Sequence, residues 1–164
     1  MPERRTIVMV EDSEEDALLI RRRLNEHLDE PFDLKHFTRM ADAQQFLAEH
    51  RKDTHLILLD LGLPDTRGGV DTFQRMKEHS LAIPVVILTS VDDHNLAVGL
   101  VREGAENFVN KGLLHDKPEL LRDAVDFAIS RHKIMDDINK KAIEELAQKD
   151  MVISWMSGGY SMQK

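Results

Sequence analysis

Four consecutive apolar residues that end on one carboxylate, Leu56-Ile57-Leu58-Leu59-Asp60, constrain this chain more than any other stretch. A run this short, closed by the turn residues of Leu61-Gly62-Leu63-Pro64, reads as a parallel strand buried on both faces. Such a strand carries Asp60 to the carboxyl edge of its sheet, the place where open α/β sheets hold ligands. A strand-end Asp is common by itself, so the ends of the other strands decide what it means.

The rest of the chain alternates in the same way. Thr6–Val10 reads as the first strand, and Ser13-Glu14-Glu15-Asp16 as a capping box opening a helix with Ala17, Leu18, Ile20, Leu24 and Leu28 inward. Phe32–Phe37 alternates like an edge strand, and a helix from Met40 to His50 turns Ala43, Phe46 and Leu47 inward. After the loop 61–69 a short helix carries Val70, Phe73 and Met76. Pro84–Thr89 is a fourth buried strand, followed by a helix capped by Asp92 or Asp93 and stopped at Gly104. Glu106–Asn110 is the fifth strand. Five compact βα units predict a parallel sheet covered on both faces, with right-handed crossovers.

The last helix is expected to start near Asp116 and Pro118, burying Leu120, Leu121, Ala124, Phe127 and Ala128 in its first half. Its second half keeps only a thin stripe, Met135, Ile138, Ala142 and Leu146, close to heptad spacing, which suits a two-helix contact. Met151–Met156 follows, then a Gly-Gly turn at residues 158 and 159 and a polar end.

Composition narrows the classes. The 164 residues carry 22 Lys and Arg against 30 Asp and Glu, a net charge of −8, which argues against a nucleic-acid surface. With no cysteine there are no disulfides and no thiolate chemistry. No apolar run approaches the roughly 20 residues of a membrane span, so the expected location is cytoplasmic, with no membrane contact.

In a doubly wound sheet the strand ends bring Glu11-Asp12, Asp60, Thr89 and Lys111 to one edge. Three carboxylates so close repel one another unless a hard cation joins them, and Mg²⁺ accepts carboxylate and water oxygens in an incomplete protein cage. A lysine opposite is a point charge for a phosphoryl oxygen, and a threonine hydroxyl adds one adaptable hydrogen bond. The composite suits a group with three anionic oxygens beside a carboxylate nucleophile.

These motifs, in this order and spacing, resemble the receiver domains of bacterial two-component response regulators over residues 5–131, leaving residues 132–164 as a helical extension and tail. The acidic pair Glu11-Asp12, Asp60 with its Leu-Pro loop, Thr89, Lys111, and Phe108 three residues before the lysine carry the resemblance. It implies a flavodoxin-like five-stranded sheet in the order 2-1-3-4-5, with Asp60 accepting a phosphoryl group from a histidine kinase or a histidine phosphotransfer protein. It also implies Mg²⁺ on Asp12, Asp60 and the backbone carbonyl of Gly62, with Glu11 acting through water. Lys111 would pair with the phosphoryl group, Thr89 would reorient towards it, and Phe108 would turn inward. The face of helix 4, strand 5 and helix 5 would then meet a downstream protein, with a homodimer through the C-terminal helix as a further expected contact.

Three departures from the family pattern stand out. Glu11 occupies a place where Asp is commoner. Gly112 replaces the usual proline, which makes a cis bond there unexpected and the loop 112–118 more mobile. The last helix overruns the family's end by about five turns. The chain is expected to be a phosphoacceptor rather than an enzyme. A haloacid dehalogenase-type phosphatase needs a second Asp where Gly62 stands, and a flavodoxin would not place Glu11-Asp12 against a phosphate. The alternatives are a receiver module of a larger kinase or cyclase, or a degenerate receiver acting as a binding module.

Overall fold

The computed structural model describes residues 3–161, with the side chains of residues 91 and 158–161 left aside. Two compact units divide the chain, residues 1–129 and 130–164. In the first, five parallel strands lie in the order β2-β1-β3-β4-β5. They are β1 (Arg5–Val10), β2 (Phe32–Phe37), β3 (Leu56–Asp60), β4 (Val85–Thr89) and β5 (Asn107–Asn110). Between them run α1 (Glu14–His27), α2 (Met40–His50), α3 (Gly69–Ser80) and α4 (His94–Arg102), and α5 (Glu119–Ser161) follows β5.

Alternate residues of each strand point to opposite faces, so the sheet separates two cores. Val8, Val10, Ile57, Leu59 and Ile87 pack with Met40 and Leu47 of α2, Phe73 and Met76 of α3, and Ala97 and Leu100 of α4. Ile7, Met9, Leu56, Leu58 and Leu88 pack with Ile20 and Leu24 of α1 and Leu121, Val125 and Ala128 of α5. Every residue of β3 and β4 is buried, the burial on both faces that their unbroken apolar runs anticipate.

Register carries the candidate site residues to one level. Val10 pairs with Leu59, Asp60 with Leu88 and Thr89 with Asn110. Glu11, Asp60, Thr89 and Lys111 therefore come at or just past the ends of neighbouring strands. The loop behind Asp60 is held firmly: both oxygens of Asp65 accept the Met40 and Ala41 N–H groups at 2.9 Å, capping α2 from outside. Those two bonds outweigh the effect of burial and hold the Asp65 carboxyl below its ordinary pKa. The Thr72 hydroxyl lies 3.0 Å from the Leu61 carbonyl and 2.8 Å from that of Gly68. A Cβ at Gly69 would lie 2.4 Å from a Leu96 methyl, so a larger residue there would have to push the end of the Leu96 side chain aside.

Several local expectations are corrected. Leu18, Val70 and Phe127 face outward, 68%, 53% and 53% exposed, and Val125 takes the inner place on α5. Asp93 stands at the α4 cap position, but its carboxylate accepts the Ser90 hydroxyl at 3.1 Å instead of a helix N–H. The stretch after Lys111 folds as a 3₁₀ turn, with the Asn110 side chain accepting the Gly112 N–H at 2.9 Å. The second unit is the continuation of α5, and its backbone stays helical through Gly158 and Gly159, where a turn was expected. Two glycines cost helix stability without forbidding helix. The polar end expected beyond residue 161 lies outside the described residues.

Candidate functional site

The site is built around the Lys111 ammonium. Its Nζ lies 2.9 Å from Asp16 Oδ2, 3.0 Å from Glu11 Oε2 and 3.2 Å from Asp60 Oδ1. Glu11 is wholly buried, Asp60 is 7% exposed and Asp12 is exposed. Carboxylate oxygens of Glu11, Asp12 and Asp60 come within 4.8 Å of one another, a metal-sized cluster among the described residues. A Cβ at Gly62 would lie 3.8 Å from Asp60 Oδ2, so the loop backbone passes close beside this carboxylate. The His36 Nε2–H donates to the Glu11 carbonyl at 2.8 Å and fixes the end of β1 from the edge strand.

Electrostatics show a site with too much negative charge for one lysine. Burial, then the neighbouring Asp60 charge, pushes the Glu11 carboxyl up to about 7. Burial likewise raises Asp60, helped by Asp12 and opposed by Lys111. Burial alone would lower the Lys111 ammonium, but Asp16, Asp60 and Glu11 together raise it instead. A hard divalent cation fits this donor set, three carboxylates with one of them open to solvent.

A pH dependence follows. Glu11 has its folded pKa raised from 4.5 to about 7, so the folded state favours the protonated form. That contribution is complete below pH 4.5 and is lost as pH rises through about 7, amounting to up to about 3 kcal/mol. Metal-free protein should melt several degrees lower at pH 8 than at pH 5. Mg²⁺ held by this cluster would favour the ionised carboxylates, so it should raise the melting temperature much more at pH 8 than at pH 5. A Mg²⁺ effect equal at both pH values would contradict this.

Thr89 closes β4, and Phe108 lies in β5. The buried Thr89 hydroxyl donates to the Val109 carbonyl at 3.3 Å. Phe108 is half-buried, and its ring meets the His94 ring edge to face, with centroids 5.2 Å apart. Beside them an open groove of about 500 Å³ is lined by His94, Phe108, Leu113, Leu120 and Phe127 among others.

Asp16 is the residue that sequence reasoning missed. A capping box assigns it to the helix start, and Ser13 does cap the Asp16 N–H at 3.2 Å. The reciprocal bond goes elsewhere: the Ser13 N–H donates to Glu11 Oε1 at 3.1 Å, which frees the Asp16 carboxylate for Lys111. The available signal was position, since the first turn of α1 begins at the same sheet edge as Asp12.

Comparison with known proteins agrees with this geometry. Residues 7–126 match the family model of the response regulator receiver domain. Regulatory protein LuxO of Vibrio cholerae is 37% identical over 92 residues, which cover 56% of this chain and 19% of that protein. The virulence transcriptional regulatory protein PhoP of Salmonella choleraesuis is 31% identical over 98 residues, 59% of this chain and 42% of that protein. The chain thus spans less than half the length of these curated relatives. Among solved structures, the signal receiver domain of a LuxO repressor protein from Vibrio parahaemolyticus superposes with TM-score 0.67 and 30% identity, covering 82% of this chain and 97% of that one. A receiver domain protein from Clostridium thermocellum, 20% identical with TM-score 0.68, covers 80% of this chain and 98% of its own and shows the shared fold. A lysine joined to strand-end carboxylates on a 2-1-3-4-5 parallel sheet, with the family match over residues 7–126, makes the chain a member of the response regulator receiver domain family.

Proposed function

We propose that this chain is a cytoplasmic phosphorylation switch in which Asp60 accepts a phosphoryl group from a histidine kinase or a histidine phosphotransfer protein. The observation that carries the reading is the Lys111 ammonium held within 3.2 Å of Asp60 and 3.0 Å of Glu11, with Asp12 in the same cluster. An Asp60 oxygen attacks the phosphorus of phosphohistidine, the O–P bond forms as the P–N bond breaks, and the imidazole leaves. Glu11, Asp12, Asp60 and the Gly62 carbonyl would hold Mg²⁺, which neutralises charge on the transferred phosphoryl group. Lys111 moves from its carboxylates to a phosphoryl oxygen.

The Thr89 hydroxyl then leaves the Val109 carbonyl for the phosphoryl group, and Phe108 leaves His94 for the space vacated. The phosphoryl group acts by favouring one of two arrangements of these side chains. Output is protein–protein contact on the face formed by α4, β5 and the start of α5. Residues 5–131 serve as the receiver, and residues 132–164 extend it to a second copy of the chain. The chain assists its own phosphotransfer without turning over a separate substrate. A receiver module belonging to a longer protein is the second reading, favoured by the small share of its relatives that the chain spans.

Incubation with acetyl phosphate tests the reading. The expected product is one acyl phosphate per chain, labile to hydroxylamine and formed only with Mg²⁺. Absence of labelling with Mg²⁺ present, in protein shown to be folded, would favour a degenerate receiver.

A further inference from the structure

We propose that residues 131–153 of α5 pair with the same segment of a second copy in antiparallel orientation, crossing at Ala142. The inference rests on the self-association proposed above and adds its orientation and register.

Along this segment Met135, Ile138, Ala142, Leu146 and Ile153 fall within about 40° of a single line at about 100° per residue, which Lys149 interrupts once. The large members are exposed, from 48% at Met135 to 62% at Ile153. Met135 and Leu146, and Ala142 and Ile153, stand eleven residues apart, a spacing that winds a helix pair gently in the right-handed sense. One row of apolar residues covers a single neighbouring helix, and Ala142 at its middle permits close approach.

Charge identifies that neighbour as a copy of the segment itself. Blocks alternate in sign along the helix: Asp136-Asp137, Lys140-Lys141, Glu144-Glu145, then Lys149. Glu145 and Lys141 flank the apolar line on one side, and Asp150 flanks it on the other. In a parallel in-register pair opposite flanks meet, so Glu145 would face Asp150 of the second copy, a like-charge contact on each side. In an antiparallel pair the same flank meets itself. With Ala142 opposite Ala142, Lys141 lies beside Glu145 of the second copy, and the twofold axis repeats the attraction. Among the described residues Lys141 and Glu145 make no ion pair within their own helix.

Shape supports the same register. A depression on the helix is lined by Glu145, Gln148, Lys149, Val152 and Ile153, the first four spaced as the residues that receive one knob from a facing helix. Counting outward from Ala142 brings Ile138 level with Leu146 of the second copy. The same count sets Ile134 and Met135 of that copy over the depression. The contact runs from residue 131 to 153, about 33 Å at 1.5 Å per residue.

Because the 164 residues include no cysteine, single cysteines report the pairing cleanly in the whole chain. Under mild oxidation Ala142→Cys chains should cross-link to themselves. An equal mixture of Ile138→Cys and Leu146→Cys chains should cross-link to each other, and Ile138→Cys alone should not. Self-cross-linking by Ile138→Cys would mean a parallel pair and would overturn the orientation while leaving self-association standing. No cross-link from any variant, with a monomeric mass by light scattering, would overturn both, while acetyl phosphate labelling still reports on Asp60 separately. Glu145→Lys gives a second readout. It should weaken the antiparallel pair by roughly fivefold and be rescued by adding Lys141→Glu, whereas in a parallel pair it would strengthen association.

Discussion

Asp60→Asn is expected to remove acetyl phosphate labelling to below about 1% of the unchanged protein, because an amide oxygen cannot serve as the nucleophile. The substitution keeps size and shape, so loss of the acceptor is separated from loss of the fold. Its effect on stability should have the opposite sign. The Asp60 carboxyl is raised by burial and by Asp12, so its ionised form destabilises the metal-free fold at neutral pH. An uncharged amide should raise the metal-free melting temperature at pH 8. Differential scanning calorimetry without and with Mg²⁺ checks this, and the metal should stabilise the variant less than the parent. A variant that still takes up label would place the acceptor elsewhere.

Lys111→Ala has the other large expected effect, and it separates chemistry from switching. The ammonium is 15% exposed and lies between two buried carboxylates, so its removal leaves Glu11 and Asp60 without their cation. Removing one partner of a buried pair costs about 3 kcal/mol or more, and that loss should appear at pH 8 without metal. It should shrink towards pH 5, where Glu11 takes up a proton instead, and Mg²⁺ should restore part of it. Labelling of Asp60 should fall without vanishing, since the nucleophile and the acidic cluster remain. What should vanish is the response: beryllofluoride should no longer shift the NMR signals of Thr89 and Phe108. A full response in Lys111→Ala would show that the lysine does not couple phosphoryl group to switch.

The fold was legible because buried parallel strands are nearly continuous apolar runs, and β3 and β4 are buried at every residue. Strand order came from the family pattern, while the convergence of Glu11, Asp60 and Lys111 was read from strand ends meeting along one edge of a doubly wound sheet, and register accounts for both: Val10 level with Leu59, Asp60 with Leu88. Facing was harder to read. Leu18, Val70 and Phe127 each sit beside a truly buried neighbour on the helix, and a 3.6-residue period does not say where an apolar stripe ends. Asp16 was hidden for a different reason. A local motif explained it fully, while its partner Lys111 lies 95 positions away. Gly158 and Gly159 looked like a stop because glycine is a poor helix former, yet poor is not prohibitive when no left-handed conformation is required.

The most direct test is a crystal structure of the protein grown with Mg²⁺ and beryllofluoride. The expected result is the mimic bonded to an Asp60 oxygen, the ion touching Asp12 and Asp60, and the Lys111 ammonium turned from Asp16 to a fluoride. A mimic bound away from Asp60, or Asp12 and Asp60 side chains pointing apart with no ion between them, would contradict the proposed switch and leave the receiver fold alone.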